Sequence, residues 1–124
     1  MSLVLNTRQA GDVTIMEASG RITLGEGASA LRNAIRAQAK DHQKILLNLE
    51  NVSYIDSSGL GVLVAAFATL TNQGGTLKLS NVISRVKDLL LITKLYTVFE
   101  VFDDEKTALR SFVAAPAQPE GVRG

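Results

Sequence analysis

The stretch Asp56-Ser57-Ser58-Gly59-Leu60-Gly61 holds the residues of this chain best placed to do chemistry. It sets two hydroxyls beside a carboxylate, after a run that reads as a buried strand and before one that reads as a helix. Asp56 or Ser57 can cap that helix by accepting backbone N–H bonds. A serine nucleophile of a hydrolase also needs a base within hydrogen-bond reach and an oxyanion hole. The single histidine, His42, sits in a polar helix-to-strand connection, and no G-x-S-x-G elbow is present. A phosphate on the serine is a different matter. It brings about −1.5 to −2 charges and three strong acceptor oxygens. Beside Asp56 it crowds like charges, and at the rim of a docking surface it forces a dianion to be desolvated.

Gly59 and Gly61 are poor helix formers, each costing about 0.8–1.0 kcal/mol relative to Ala. Two of them in the first turns imply a close approach or an unusual backbone. On a helical wheel Leu60, Leu63, Val64, Phe67 and Leu70 share one face, the expected core stripe. The opposite face carries Gly61, Val62, Ala65, Thr69 and Asn72, all small and uncharged. Such a face is either buried by the rest of the domain or receptive to a partner.

The elements that must position this segment alternate. Leu3–Arg8 and Val13–Ala18 read as strands around an Ala10-Gly11-Asp12 hairpin turn, with Gly20 ending the second. Residues 28–39 read as a helix, with Leu31, Ile35 and Ala39 on one face and Arg32, Arg36 and Lys40 on another, taken as solvated. Ile45, Leu46 and Leu47 are contiguous rather than alternating, which suits a central strand covered on both faces. Thr76–Ser80 and Thr97–Phe102 alternate as strands, and residues 84–92 and a segment after Asp103-Asp104 read as helices. Strands alternating with helices imply a mostly parallel sheet. The expected organisation is one domain over residues 1–113 and a disordered tail over 114–124, which holds both prolines.

Composition excludes several functions. A net charge of +1 argues against binding driven by nucleic-acid phosphates. The chain has no cysteine, so disulfides and thiolate metal sites are ruled out together. No metal-ligand spacing, paired carboxylates or phosphate-cradling G-x-x-x-x-G-K-[ST] loop stands out, so no metal or cofactor is expected. The apolar run Leu60–Leu70 falls short of the ~20 residues a membrane span needs. Without a signal-peptide pattern, a cytoplasmic location is expected.

The run from Leu47 through Ile55 into Asp56-Ser57-Ser58-Gly59-Leu60-Gly61, the Gly74-Gly75 turn with the strand after it, and the pattern Leu95–Phe102 resemble the STAS-domain anti-sigma-factor antagonists. The likeness spans roughly Leu3–Val113. It implies an α/β fold: a small, mixed but mostly parallel sheet of four to five strands, with about four helices mainly on one face. It makes Ser57, the serine after the Asp, the phosphoacceptor. The implied partner is an anti-sigma factor that doubles as an ATP-dependent serine kinase. The unphosphorylated antagonist holds it, phosphorylation releases the antagonist, and a serine phosphatase resets the switch. With the wheel, this sets an expected docking surface of Asp56, Ser57, Ser58, Gly59, Gly61, Val62, Ala65 and Thr69 on a monomer or weak dimer that is not an enzyme. A STAS subunit of a lipid-transport or stress-sensing assembly is the alternative. Two segments depart from the family pattern, Gly20-Arg21-Ile22-Thr23 and Thr93-Lys94-Leu95, and both bear on partner identity rather than fold.

Overall fold

The computed structural model describes residues 3–113. The expected tail, 114–124, lies outside the described residues. Strands β1 (Leu3–Ala10) and β2 (Val13–Ile22) form a hairpin across Gly11-Asp12, where Gly11 takes the left-handed φ of 63° that a two-residue turn demands. Then come α1 (Glu26–Ala39), β3 (Lys44–Ile55), α2 (Ser57–Asn72), β4 (Thr76–Ser80), α3 (Ser84–Ile92), a short 3₁₀ turn at Leu95–Thr97, β5 (Val101–Phe102) and α4 (Glu105–Val113). The strands lie in one sheet in chain order, β1-β2-β3-β4-β5. Only β1 and β2 are antiparallel; the other neighbours are parallel.

The contiguous run in β3 is buried on both sides, as its lack of alternation requires. Ile45 and Leu47 face the main core with α1, α2 and α3. Leu46 faces a smaller core with Val13, Ile15 and the α4 residues Ala108 and Phe112. Three helices therefore cover one face and one covers the other. Charged and polar bonds fix α4 in place. Arg8 Nη2 donates to both Glu105 oxygens at 2.7 Å, and Asn48 Nδ2 donates to Glu105 Oε2 at 3.2 Å. The buried Lys78 ammonium reaches Ser111 Oγ at 2.8 Å and lies 4.6 Å from the Phe112 ring centroid.

Arg8, then the Asn48 amide, hold the Glu105 carboxyl below its ordinary value near 4.5. A depressed carboxyl stabilises the fold above that ordinary value, and the contribution is lost as pH falls through the lower folded value. Glu105→Gln is expected to cost about 0.5–1 kcal/mol at pH 7, the worth of a partly exposed pair. In urea titrations the gap to wild type should narrow at pH 3.

Several boundaries differ from expectation, beginning with β1, which continues past Arg8 to Ala10. Strand β2 passes Gly20 because Gly20, Arg21 and Ile22 pair with Val52, Tyr54 and Ile55 of β3. Helix α1 begins at Glu26 rather than residue 28, its Gly27 tucked so close under Arg21 that a Cβ would stand 2.5 Å from the Arg21 carbonyl oxygen. The short apolar run expected over Lys44–Leu49, ending near a turn, instead continues as one strand, β3, through Ile55. The strand expected over Thr97–Phe102 shrinks to Val101–Phe102. There Lys94 adopts a left-handed φ of 64° after α3, and the N–H groups of Val98 and Phe99 turn back to the Leu95 carbonyl. Those donors are consumed locally, and Phe99 enters the core edge-on to Phe67 at 5.4 Å.

Candidate functional site

Strand β3 outruns its neighbour. Strand β4 pairs with it only through Asn48, so Leu49–Ile55 is held on the β2 side alone. Two register shifts on that side each place an extra residue in β3, bending the projecting end. Asn48 Oδ1 accepts the Glu50 N–H at 2.9 Å and fixes the first bend. The Ser53 hydroxyl donates to the Gly20 carbonyl near the second. The result carries Asp56 and Ser57 out past the end of β4, where β2, the β2–α1 loop and α2 converge.

Asp56 is the pivot of that convergence. Its Oδ1 accepts the Gly59 N–H at 3.0 Å, so Asp56, not Ser57, is the N-cap of α2. Its Oδ2 accepts the Leu24 N–H at 2.9 Å and ties the β2–α1 loop to the helix start. Its own N–H donates to the Ile22 carbonyl at 3.3 Å. The Leu24 bond first, then the Gly59 bond, hold the carboxyl below its ordinary range. Asp56 is thus a fixed anion at neutral pH. The stability it lends is present above the ordinary carboxylate value and fades as pH drops through the folded one.

The serines differ. Ser57 is exposed at the first position of α2, and its hydroxyl makes no side-chain hydrogen bond among the described residues. With the cap supplied by Asp56, nothing local occupies Ser57. Ser58 is half-buried and lines a recess with Leu24, Gly25, Ala28 and Arg32.

The two glycines are there for opposite reasons. A Cβ on Gly59 would stand 2.3 Å from the Ile22 carbonyl oxygen, so this is the close approach the sequence implied. A Cβ on Gly61 meets nothing within 4 Å. Gly61→Ala is therefore expected to raise stability by about 0.8–1.0 kcal/mol through helix propensity alone. A thermal melt checks this, and a lower melting temperature would contradict it.

The α2 faces need correction. Leu60, Leu63 and Leu70 are buried as expected, but Val64 is 38% exposed, whereas Val62 and Ala66 are buried at 7% and 8%. The helix packs against α1 as well as the sheet, which rotates its buried arc toward Val62 and Ala66. Of the expected docking residues, Ser57, Gly61, Ala65 and Thr69 are exposed on one side of α2. Gly59 is instead turned inward beneath Ile22, and Val62 forms the floor between α1 and α2. Leu24, 78% exposed beside Asp56, was not expected at the site; Arg32 and Arg36 are exposed as expected, and they also border the α2 groove. An unusually uncharged α2 facing arginines four residues apart was the available signal.

His42 precedes β3, at the opposite end of that strand from Ser57, on the order of 30 Å away at about 3.3 Å per residue. It cannot serve Ser57 as a base. Among the described residues no group of three His, Asp or Glu could hold a metal ion, and no helix is long and apolar enough to cross a membrane.

A mixed five-stranded sheet with three helices on one face, and a capped, serine-bearing helix start at the end of its longest strand, define a STAS domain. The STAS family model matches residues 4–108, and the chain belongs to that family. Several relatives carry the name of anti-sigma factor antagonists. The anti-sigma-B factor antagonist of Bacillus subtilis (strain 168) is 38% identical over 74 residues, which are 60% of this chain and 68% of that protein. The anti-sigma F factor antagonist of Paenibacillus polymyxa is 29% identical over 112 residues, 88% of this chain and 94% of that one. A Thermotoga maritima crystal structure, assigned as an anti-sigma factor antagonist, superposes with a TM-score of 0.81 at 25% identity, covering 86% of this chain and 92% of its own.

Proposed function

We propose that this chain is an anti-sigma-factor antagonist switched by phosphorylation of Ser57. In the unphosphorylated form it docks an anti-sigma factor that is also an ATP-dependent serine kinase, through the exposed side of α2 formed by Ser57, Gly61, Ala65 and Thr69, with Ser58 and Asp56 at the rim. Held there, the anti-sigma factor cannot restrain its sigma factor. Transfer of the γ-phosphoryl group of ATP forms an Oγ–P bond on Ser57, breaks the bond to ADP and passes the hydroxyl proton to a base of the kinase. The phosphorylated chain then leaves, and a serine phosphatase restores it. The relatives serve two different sigma factors, B and F, so the class of partner is proposed and not its identity.

The observation that carries this reading is the division of labour at the start of α2. Asp56 does the capping, which leaves the Ser57 hydroxyl exposed and unengaged. Incubating the protein with the ATP-dependent serine kinases encoded in its own genome, followed by mass spectrometry, tests it. Label at Ser57 that vanishes in Ser57→Ala is the expected result. Label at another residue, or none with any of these kinases, contradicts it.

A further inference from the structure

Between α1 and α2 runs a groove whose floor is apolar: Ile35 and Ala39 from α1, Val62, Ala66 and Leu70 from α2. Its α1 wall carries Arg32 and Arg36, one helical turn apart. Neither guanidinium forms an ion pair among the described residues; Arg32 Nη2 reaches only the Ser29 hydroxyl, at 3.4 Å. The opposite wall supplies no counter-charge, because α2 has no charged residue from Ser57 to Asn72. Arg32 also lines the recess that holds Ser58, so the cationic wall is continuous with the start of α2 at that residue.

An apolar trough alone says only that something can cover it. The two arginines say what. A guanidinium pairs bidentately with a carboxylate and repels a basic partner. We infer that this groove receives an acidic segment of the partner protein that also carries aliphatic side chains, its apolar side chains on Val62 and Ala65 and its carboxylates on Arg32 and Arg36. The inference rests on the proposed function and adds the chemistry of the docking element.

The test titrates the intact kinase that labels Ser57 against wild type, R32E/R36E and R85E. Arg85 is exposed on α3, away from the groove, and serves as the control. R32E/R36E is expected to bind at least about tenfold more weakly, a factor worth about 1.4 kcal/mol. R85E should match wild type, and circular dichroism should show all three folded alike. Wild-type affinity that falls as salt rises supports the charged contact. Undiminished binding by R32E/R36E, with release by Ser57 phosphorylation intact, overturns the groove assignment and leaves the proposed function standing. Binding that survives phosphorylation sinks the proposed function instead. If sedimentation shows a dimer of this chain that R32E/R36E dissolves, the groove belongs to a second copy and the inference is wrong.

Discussion

Gly59→Ala is expected to destabilise the protein by about 1–3 kcal/mol, the usual cost of overpacking a filled interior. The new methyl would stand 2.3 Å from the Ile22 carbonyl oxygen, 2.8 Å from Ile55 Cγ2 and 2.9 Å from Ile22 Cγ2. Two of these are side-chain atoms that can shift, but the nearest is backbone. The Ile22 carbonyl already accepts the Asp56 N–H, and Ile22 is paired with Ile55 in the sheet. Moving it disturbs the cap and the strand end together. Alanine's better helix propensity, about 0.8–1.0 kcal/mol, offsets only part of this. A denaturant titration should show a lower midpoint with an unchanged slope. Gly61→Ala, two positions on, should move the midpoint the other way. Equal effects at the two glycines would mean that the packing of α2 on β2 is not as described.

Phosphorylation of Ser57 is expected to weaken partner binding about a hundredfold or more while leaving the fold intact. The phosphate lands beside the fixed Asp56 anion, on a helix with no charged residue of its own; the nearest cationic wall, Arg32 on α1, lines the adjoining recess of Ser58. A dianion there must be desolvated on docking unless the partner brings a counter-charge, a cost of a few kcal/mol. Within the domain the charge is better tolerated, since the N-terminus of α2 favours a negative group. The effect therefore falls on binding. Melting temperatures of the two forms should agree within a few degrees. Ser57→Asp should show a weaker version of the same loss, having one charge in place of two.

Parts of this site were legible in the residues alone. The run Ile45-Leu46-Leu47 announced a strand buried on both faces, because a half-exposed strand would alternate. The Asp-Ser-Ser-Gly segment announced a helix start, because only a few residue types cap, and its costly glycines announced a close approach. Which residue did the capping was left open between Asp56 and Ser57, and the two hydrogen bonds of Asp56 decide it. Elsewhere tertiary contacts overrode the pattern. A helical wheel assumes one packing partner, whereas α2 packs on both the sheet and α1, so Val62 is buried and Val64 exposed. Thr97–Phe102 alternates like a strand, but the left-handed Lys94 diverts it into a turn that delivers Phe99 to the core. Arg32 and Arg36 are solvated, as expected, but that they stand beside the uncharged wall of α2 is set by how two helices cross, which the sequence does not show.

In the proposed function one phosphate on Ser57 controls partner binding. Calorimetric titration of the anti-sigma factor with the unphosphorylated chain and with the chain phosphorylated at Ser57 alone, in the same buffer and salt, measures it directly. Tight binding by the first form, and binding at least about a hundredfold weaker by the second, a difference of about 2.7 kcal/mol or more, is the expected result. Equal affinities would contradict it.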